Sequence, residues 1–408
     1  MLTFDKVHHA GQVLKDFIRT TDVIAAPNLA EKCELYLKPE NLQYTGSFKL
    51  RGAYYKVATL SKEARNKGIV ACSAGNHAQG VALAAKHFET SATIFLPSSA
   101  PLSKIEATRR YGAEIRLSEG LYDNAYAEAV TYAKENGATF IHPFDDIDVI
   151  AGQATIGVEI INQHPNVEAV VVPVGGGGLI SGVAFAVKSL NPKCAVYGVQ
   201  ANGADSMKQS YCNKTLINAC SVSTFADGIA VRSPAESTLA LCEKYVDDIV
   251  TVSDDETSVA LLSMMERQKL VSEGAGAVAV AAVISDKLPI EGKKVCAVVS
   301  GGNIDVNILS RVISRGLTAS GRLTNLVISL IDKPGQLNNV SSIIAGAGAN
   351  VIGVQYTPGG ENMDINGCFI NISMETKNFE HLQVIKRTLI ENGFELVEEK
   401  QSLQKECN

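Results

Sequence analysis

The stretch AVVVPVGGGGLISGVAFAVKSL, residues 169–190, sets the fold class of this chain. Its first six residues are apolar and valine-rich, the composition of a strand covered on both faces. Four glycines follow, Gly175, Gly176, Gly177 and Gly178, and a helical run starts at once. Strand, glycine turn and helix in immediate succession make a βα unit of an α/β protein. Glycines also let backbone N–H groups close around an anion, and the helix N-terminus adds partial positive charge. A tight turn needs only one or two glycines, so four favour a phosphate site. A P-loop would carry Lys-Ser/Thr after the last glycine, where Leu179-Ile180 stand. The spacing Gly176-x-Gly178-x-x-Ser181 is not G-x-G-x-x-G, and the next strand ends in Gln200 instead of a carboxylate. A nicotinamide-dependent oxidoreductase is therefore a distant rival.

Outward from this unit, from about 45 to 315, short β-branched runs alternate with longer helical ones. Candidate strands cover 68–73, 91–97, 113–118, 139–143, 169–174, 195–200, 248–253 and 294–300, with helical stretches such as LYDNAYAEAVTYAKEN (121–136) between them. Such alternation predicts two parallel sheets covered by helices, with a cleft between them. The rhythm changes after Arg322. There TNLVISLID, LNNVSSIIAGAG, NVIGVQYTPG, GCFINISMET, NFEHLQVIKRTLIENG and FELVEEK read strand, helix, strand, strand, helix, strand. That βαββαβ order is the ferredoxin-like arrangement. Small and polar residues in ASGRL (319–323) place a boundary there. The expected domains are 1–320, with a smaller subdomain at about 45–145 inserted in the larger one, and 324–402.

A chain of 408 residues, 46% hydrophobic and 20% charged, can bury a substantial core. Its net charge of −6, without a Lys/Arg run, offers nucleic acid no footprint. Nine scattered cysteines, without C-x-x-C or a Cys/His cluster at metal-ligand spacing, fit a reducing cytoplasm. The N-terminal MLTFDKVHHAGQV lacks the apolar core of a signal peptide, so a cytoplasmic location is expected. The longest apolar run, GAGAVAVAAVI (274–284), is too short to cross a bilayer and predicts a small-residue helix packed inside a domain.

Three more segments carry chemistry. In SAGNHAQGVA (73–82), Ser73, Gly75, Asn76 and His77 fall where a strand gives way to a helix. Neutral donors at a helix N-terminus suit a substrate carboxylate; equally, Ser73 or Asn76 could cap the turn. In VVSGGNID (298–305), Ser300 ends a strand before two glycines, where its hydroxyl could face a ring atom or its own turn. In YTGSFKLRGA (44–53), Lys49 stands between Phe48 and Leu50 at a helix start. A desolvated lysine can attack an aldehyde cofactor, whereas a solvated charge is the ordinary alternative. A phosphate loop, a carboxylate loop and such a lysine together point to pyridoxal phosphate.

SFKLRGA, SAGNHAQGVA, GGGGLISG, ADG, EGAGA and SGGN occur here in a familiar order. Over nearly all of residues 10–320 the chain resembles the fold-type II pyridoxal-phosphate enzymes, in particular the threonine/serine dehydratases. The resemblance implies a tryptophan-synthase-β-like catalytic domain that converts L-threonine to 2-oxobutanoate and ammonia, and L-serine to pyruvate and ammonia, by β-elimination. It makes Lys49 the Schiff-base lysine and the base at Cα, with Phe48 beside the cofactor ring. Asn76 would bond the cofactor's phenolic oxygen, Ser300 would face its ring nitrogen, and Gly175, Gly176, Gly177, Gly178 and Leu179 would hold its phosphate through backbone N–H groups. Ser73, Gly75, Asn76 and His77 would hold the substrate carboxylate. A neutral serine does not enforce protonation of the ring nitrogen, which favours prompt loss of the β-hydroxyl over a long-lived carbanion.

Serine racemases are similar to this chain but carry a serine where it has Ala74, and alanine transfers no proton; racemisation is expected to be poor. The ADG segment lies near a cation site in the family, so Asp227 would help hold a mono- or divalent cation, or only shape a turn. LIDKPGQL (330–337) and GANVIGV (348–354) resemble an ACT domain, an amino-acid-sensing module. Asp332, Pro334 and Gly335 would dock an effector there, isoleucine for a biosynthetic enzyme; a module that serves only assembly is the alternative. A homodimer or homotetramer is expected. From another class, the chain could be a catalytically inactive amino-acid sensor, against which the intact Lys49 argues.

Overall fold

The strand Ala169–Pro173 is buried at every position and lies inside a six-stranded sheet. Across that sheet the order is Ile24–Ala25, Glu34–Pro39, Lys294–Val299, Ala169–Pro173, Ala195–Ala201 and Asp248–Val252. All neighbours pair in parallel except Ile24–Ala25. A second sheet, Glu114–Ser118, Ala92–Pro97, Ile69–Cys72 and Thr139–Phe140, is parallel throughout. Its strands all fall in sequence between Glu34–Pro39 and Ala169–Pro173. The chain thus leaves the larger sheet, builds the smaller one and returns. The computed structural model describes residues 1–100, 102–358 and 366–397.

Two strand readings need correction. The strand expected at 139–143 stops at Phe140, because Ile141 and Pro143 turn their carbonyls to side chains instead of a neighbouring strand. Glu34–Pro39 went unread: its buried positions include Lys38, a charge that breaks the apolar pattern.

The return to the larger sheet is made by the helix Ile147–Gln163. Asp146 caps it, its carboxylate accepting from the backbone N–H of Asp148 (2.8 Å) and Val149 (3.2 Å). This helix packs on the helix Lys49–Thr59 at backbone distance, since a Cβ at Gly152 would lie 2.6 Å from Gly52 Cα. The helix Gly274–Ile284 is built of small residues and is almost wholly buried, as expected for that run.

The chain divides into compact units at Leu309/Ser310, within the helix Val306–Ala319. Of the residues 319–323, Ala319 ends that helix and Leu323 opens the next strand, so the change of rhythm there marks the helix end. In the second unit a four-stranded antiparallel sheet runs Asn350–Pro358, Gly367–Glu375, Leu323–Ile331, Glu395–Val397. The helices Gln336–Gly346 and Phe379–Glu391 complete the βαββαβ order; residues 398–402 of the expected domain lie outside the described residues.

Candidate active site

Lys49 opens its helix without a side-chain cap, and the helix start is tied to the end of the central strand Lys294–Val299 instead. Ser47 pairs with Gly301, and the Phe48 N–H donates to the Ser300 carbonyl at 3.0 Å. Lys49 Nζ then lies 5.2 Å from the centre of the Phe48 ring and donates to Pro143 O at 2.8 Å. Burial lowers its pKa to about 8, against the pull of the Glu273 carboxylate toward the charged form. Relative to an ordinary lysine at 10.5, the neutral fraction near pH 7 is larger by roughly 300-fold. The uptake rate of an aldehyde cofactor by the apoprotein should therefore rise about tenfold from pH 6 to pH 7 and level off above about 8. Stopped-flow absorbance across that range tests it; a flat profile would show that the amine is not the titrating nucleophile.

The glycine loop leaves no space for side chains. A Cβ at Gly176 would sit 2.5 Å from the Phe144 ring, and one at Gly178 would sit 2.8 Å from Phe144 Cα. Gly177, at φ +96°, turns the chain into the helix Gly178–Leu190 in a conformation that L side chains rarely adopt. Thr238 Oγ1 donates to Gly176 O at 2.8 Å and steadies the loop. No described acceptor takes the N–H groups of Gly175, Gly176 or Gly177, and those of Gly178 and Leu179 head the helix. Five donors around a cradle that a Cβ would fill are what a phosphate requires.

Asn76 begins the helix Asn76–His87 after the strand Ile69–Cys72. Its Nδ2 donates to Glu273 Oε1 at 2.6 Å, and its Oδ1 accepts from Asn303 Nδ2 at 2.8 Å. Ser73 Oγ accepts from the Gly75 N–H at 3.2 Å and shapes the turn. The His77 ring does not serve the cleft: it is buried, with Nε2 donating to Ile141 O at 2.8 Å, so only its backbone N–H is left for a carboxylate. Burial, and then the charge of Lys49, lower its pKa to about 3, and the ring is neutral. Ser300 is buried at the end of its strand, 3.3 Å from Ala275 O. Burial, and then the charge of Asp227, raise the pKa of Glu273 to about 7, against Asn76, Lys104 and the Asn303 N–H.

Residues 14–301 match the pyridoxal-phosphate dependent enzyme family. The chain belongs to that family. An L-threonine ammonia-lyase of Thermotoga maritima is 48% identical over 398 residues, 97% of this chain and 99% of that protein. Among solved structures, a threonine deaminase of Solanum lycopersicum aligns with a TM-score of 0.73 at 36% identity, covering 77% of this chain and 89% of its own. A maize serine racemase aligns with a TM-score of 0.73 at 33% identity, covering 78% and 98%.

Pyridoxal phosphate fits the residues present. The cradle supplies backbone donors for its phosphate, and Lys49 is a buried amine whose pKa is lowered to about 8. Asn76 and Ser300 stand at the ends of two neighbouring strand–loop junctions. Three contributors had no role in the sequence reading: Phe144, Glu273 and Asn303. Two of them lie inside EGAGA and SGGN, and an acid immediately before a run of small residues is the signal that could have singled out Glu273. Asp227, offered to a cation, pairs with Lys104, and the described residues hold no cluster of three His, Cys, Asp or Glu at metal distance. In the second unit, Asp332 accepts from Tyr356 OH at 3.0 Å, and Gly335, at φ +92°, leads into the helix Gln336–Gly346.

Proposed function

We propose that the protein is an L-threonine ammonia-lyase that converts threonine to 2-oxobutanoate and ammonia, and serine to pyruvate and ammonia. The buried Lys49, its pKa lowered to about 8, together with the glycine cradle for a phosphate carries this reading, supported by the near full-length likeness to a threonine ammonia-lyase. Pyridoxal phosphate, when bound, supplies an electron sink for charge leaving Cα. The N–H groups of 175–179 hold its phosphate, and Asn76 and Ser300 orient its ring. The turn at Ser73, Gly75 and Asn76, with the His77 N–H, holds the substrate carboxylate at the helix N-terminus. Lys49 Nζ then takes the proton from Cα, and elimination of the β-hydroxyl needs only this one base.

Racemisation would need a second proton carrier on the opposite face of Cα, and Ala74 carries none. The second unit we assign to control by an amino acid docking at Asp332, Pro334 and Gly335, with isoleucine the first to try. A coupled assay of ammonia release tests the set. Threonine should be turned over, with serine also accepted, serine racemisation should be slow, and isoleucine should change the kinetics. Efficient racemisation by the unmodified protein, or no turnover of threonine, would sink the activity assigned here; unchanged kinetics and no binding heat with isoleucine would sink the effector.

A further inference from the structure

Two residues outside the set assigned above decide which end of the Asn76 amide faces the cleft. Resting on the pyridoxal-phosphate reading above, we infer that Asn303 and Glu273 are positioning residues that make Asn76 a hydrogen-bond donor to the cofactor. The chain of reasoning starts from Thr45 O, a carbonyl that can only accept. Asn303 Nδ2 lies 2.7 Å from it and 2.8 Å from Asn76 Oδ1, so the two N–H bonds of Asn303 are both committed and its amide cannot turn over. Asn76 Oδ1 is thereby the accepting end, and its Nδ2 is turned to Glu273 Oε1 at 2.6 Å. Turning the Asn76 amide over would set its carbonyl against a carboxyl oxygen and its amino group against that of Asn303, with the loss of both hydrogen bonds.

Glu273 is held just as firmly. Its backbone N–H donates to Gly301 O at 3.1 Å, and its carboxyl accepts from the Asn303 N–H. Two glycines make the close approach of these side chains feasible. A Cβ at Gly301 would sit 2.4 Å from Glu273 Oε1, and one at Gly46 would sit 2.5 Å from Asn303 Oδ1. One N–H of Asn76 stays uncommitted. A donor bonds an oxygen that bears negative charge more strongly than a protonated one, so the lock biases the bound cofactor's ring oxygen toward its ionised form. YTGSF, SAGNH, EGAGA and SGGN then meet in one hydrogen-bonded line from Thr45 to Glu273.

The test compares the holoenzyme with its Asn303→Ala variant by the absorption spectrum of the bound cofactor between pH 6 and 9, and by cofactor titration of the apoproteins. Asn303→Ala should move the ionisation of the cofactor's ring oxygen upward by about one pH unit and weaken cofactor binding by about tenfold, the worth of one hydrogen bond to a charged oxygen. Asn76→Ala should shift both in the same direction. A spectrum and affinity equal to the wild type in Asn303→Ala overturn the inference. If that variant does not fold, Glu273→Ala carries the same expectation and the same overturning result. A wild type that shows the cofactor band but releases no ammonia from threonine would overturn the threonine activity and leave this inference standing; one that binds no pyridoxal phosphate overturns both.

Discussion

Lys49→Ala should fold, bind pyridoxal phosphate without covalent attachment, and release ammonia from threonine more slowly by at least about 10³-fold, since nucleophile and base are lost together. Folding should survive because Lys49 contributes one hydrogen bond, to Pro143 O, and has no ion-pair partner among the described residues. The sign of its titration agrees. A lysine whose folded pKa lies near 8 instead of 10.5 is penalised in the folded state wherever it is charged, fully below about pH 8 and not at all above about 10.5. Removing the amine lifts that penalty at neutral pH. Borohydride treatment followed by mass measurement reads the attachment, and the ammonia assay reads the rate. A variant that still fixes the cofactor covalently would mean that another amine is the attachment point.

Arg51→Ala should instead cost the fold itself about 3–5 kcal/mol, the usual consequence of leaving a buried charge without its partner. Arg51 has no exposed surface. Its Nε and Nη2 reach the two oxygens of Glu40 at 2.7 and 2.8 Å, and Nη1 and Nη2 reach those of Glu159 at 2.5 and 2.9 Å. Burial works against the guanidinium's charge, but Glu40 and then Glu159 outweigh it and raise the pKa. Burial likewise opposes the charge on Glu159, whereas Arg51 and Lys38 hold that carboxyl below its ordinary range. Lys38 closes the network with a 2.6 Å bond to Glu159 Oε2, and Glu40 also accepts from Thr21 Oγ1 at 2.7 Å. Two cations face two carboxylates, so deletion of Arg51 strands Glu40 where water does not reach. Denaturant unfolding of the variant against the wild type measures the loss; a difference under about 1 kcal/mol would mean that the network relaxes around the gap.

The parallel sheets and the βαββαβ unit were legible because valine-rich strands, glycine turns and small-residue helices follow their own periodicities. The same reading passed over Glu34–Pro39. A buried Lys38 and the adjoining Glu40 look like surface residues until Arg51 and Glu159, far along the chain, are seen to neutralise them. Lys49 and the glycines were legible through motif chemistry. For His77 the sequence left open whether ring or backbone serves the cleft, since nothing local says that Ile141 O will claim its ring. Phe144 shows no motif at all, and its part depends on where the chain re-enters the larger sheet.

That re-entry point touches three segments of the site. Ile141 O receives His77, Pro143 O receives Lys49, and the Phe144 ring closes against Gly176. Three residues within four consecutive positions thus act as a common gauge for distances between segments that lie far apart in sequence. During synthesis, the lysine emerges more than a hundred residues before the glycine loop and has no carbonyl to meet until the smaller sheet is complete. Competence to capture a cofactor is consequently a late event in folding, and a nascent chain that ends before the glycine loop carries its reactive amine with no site around it.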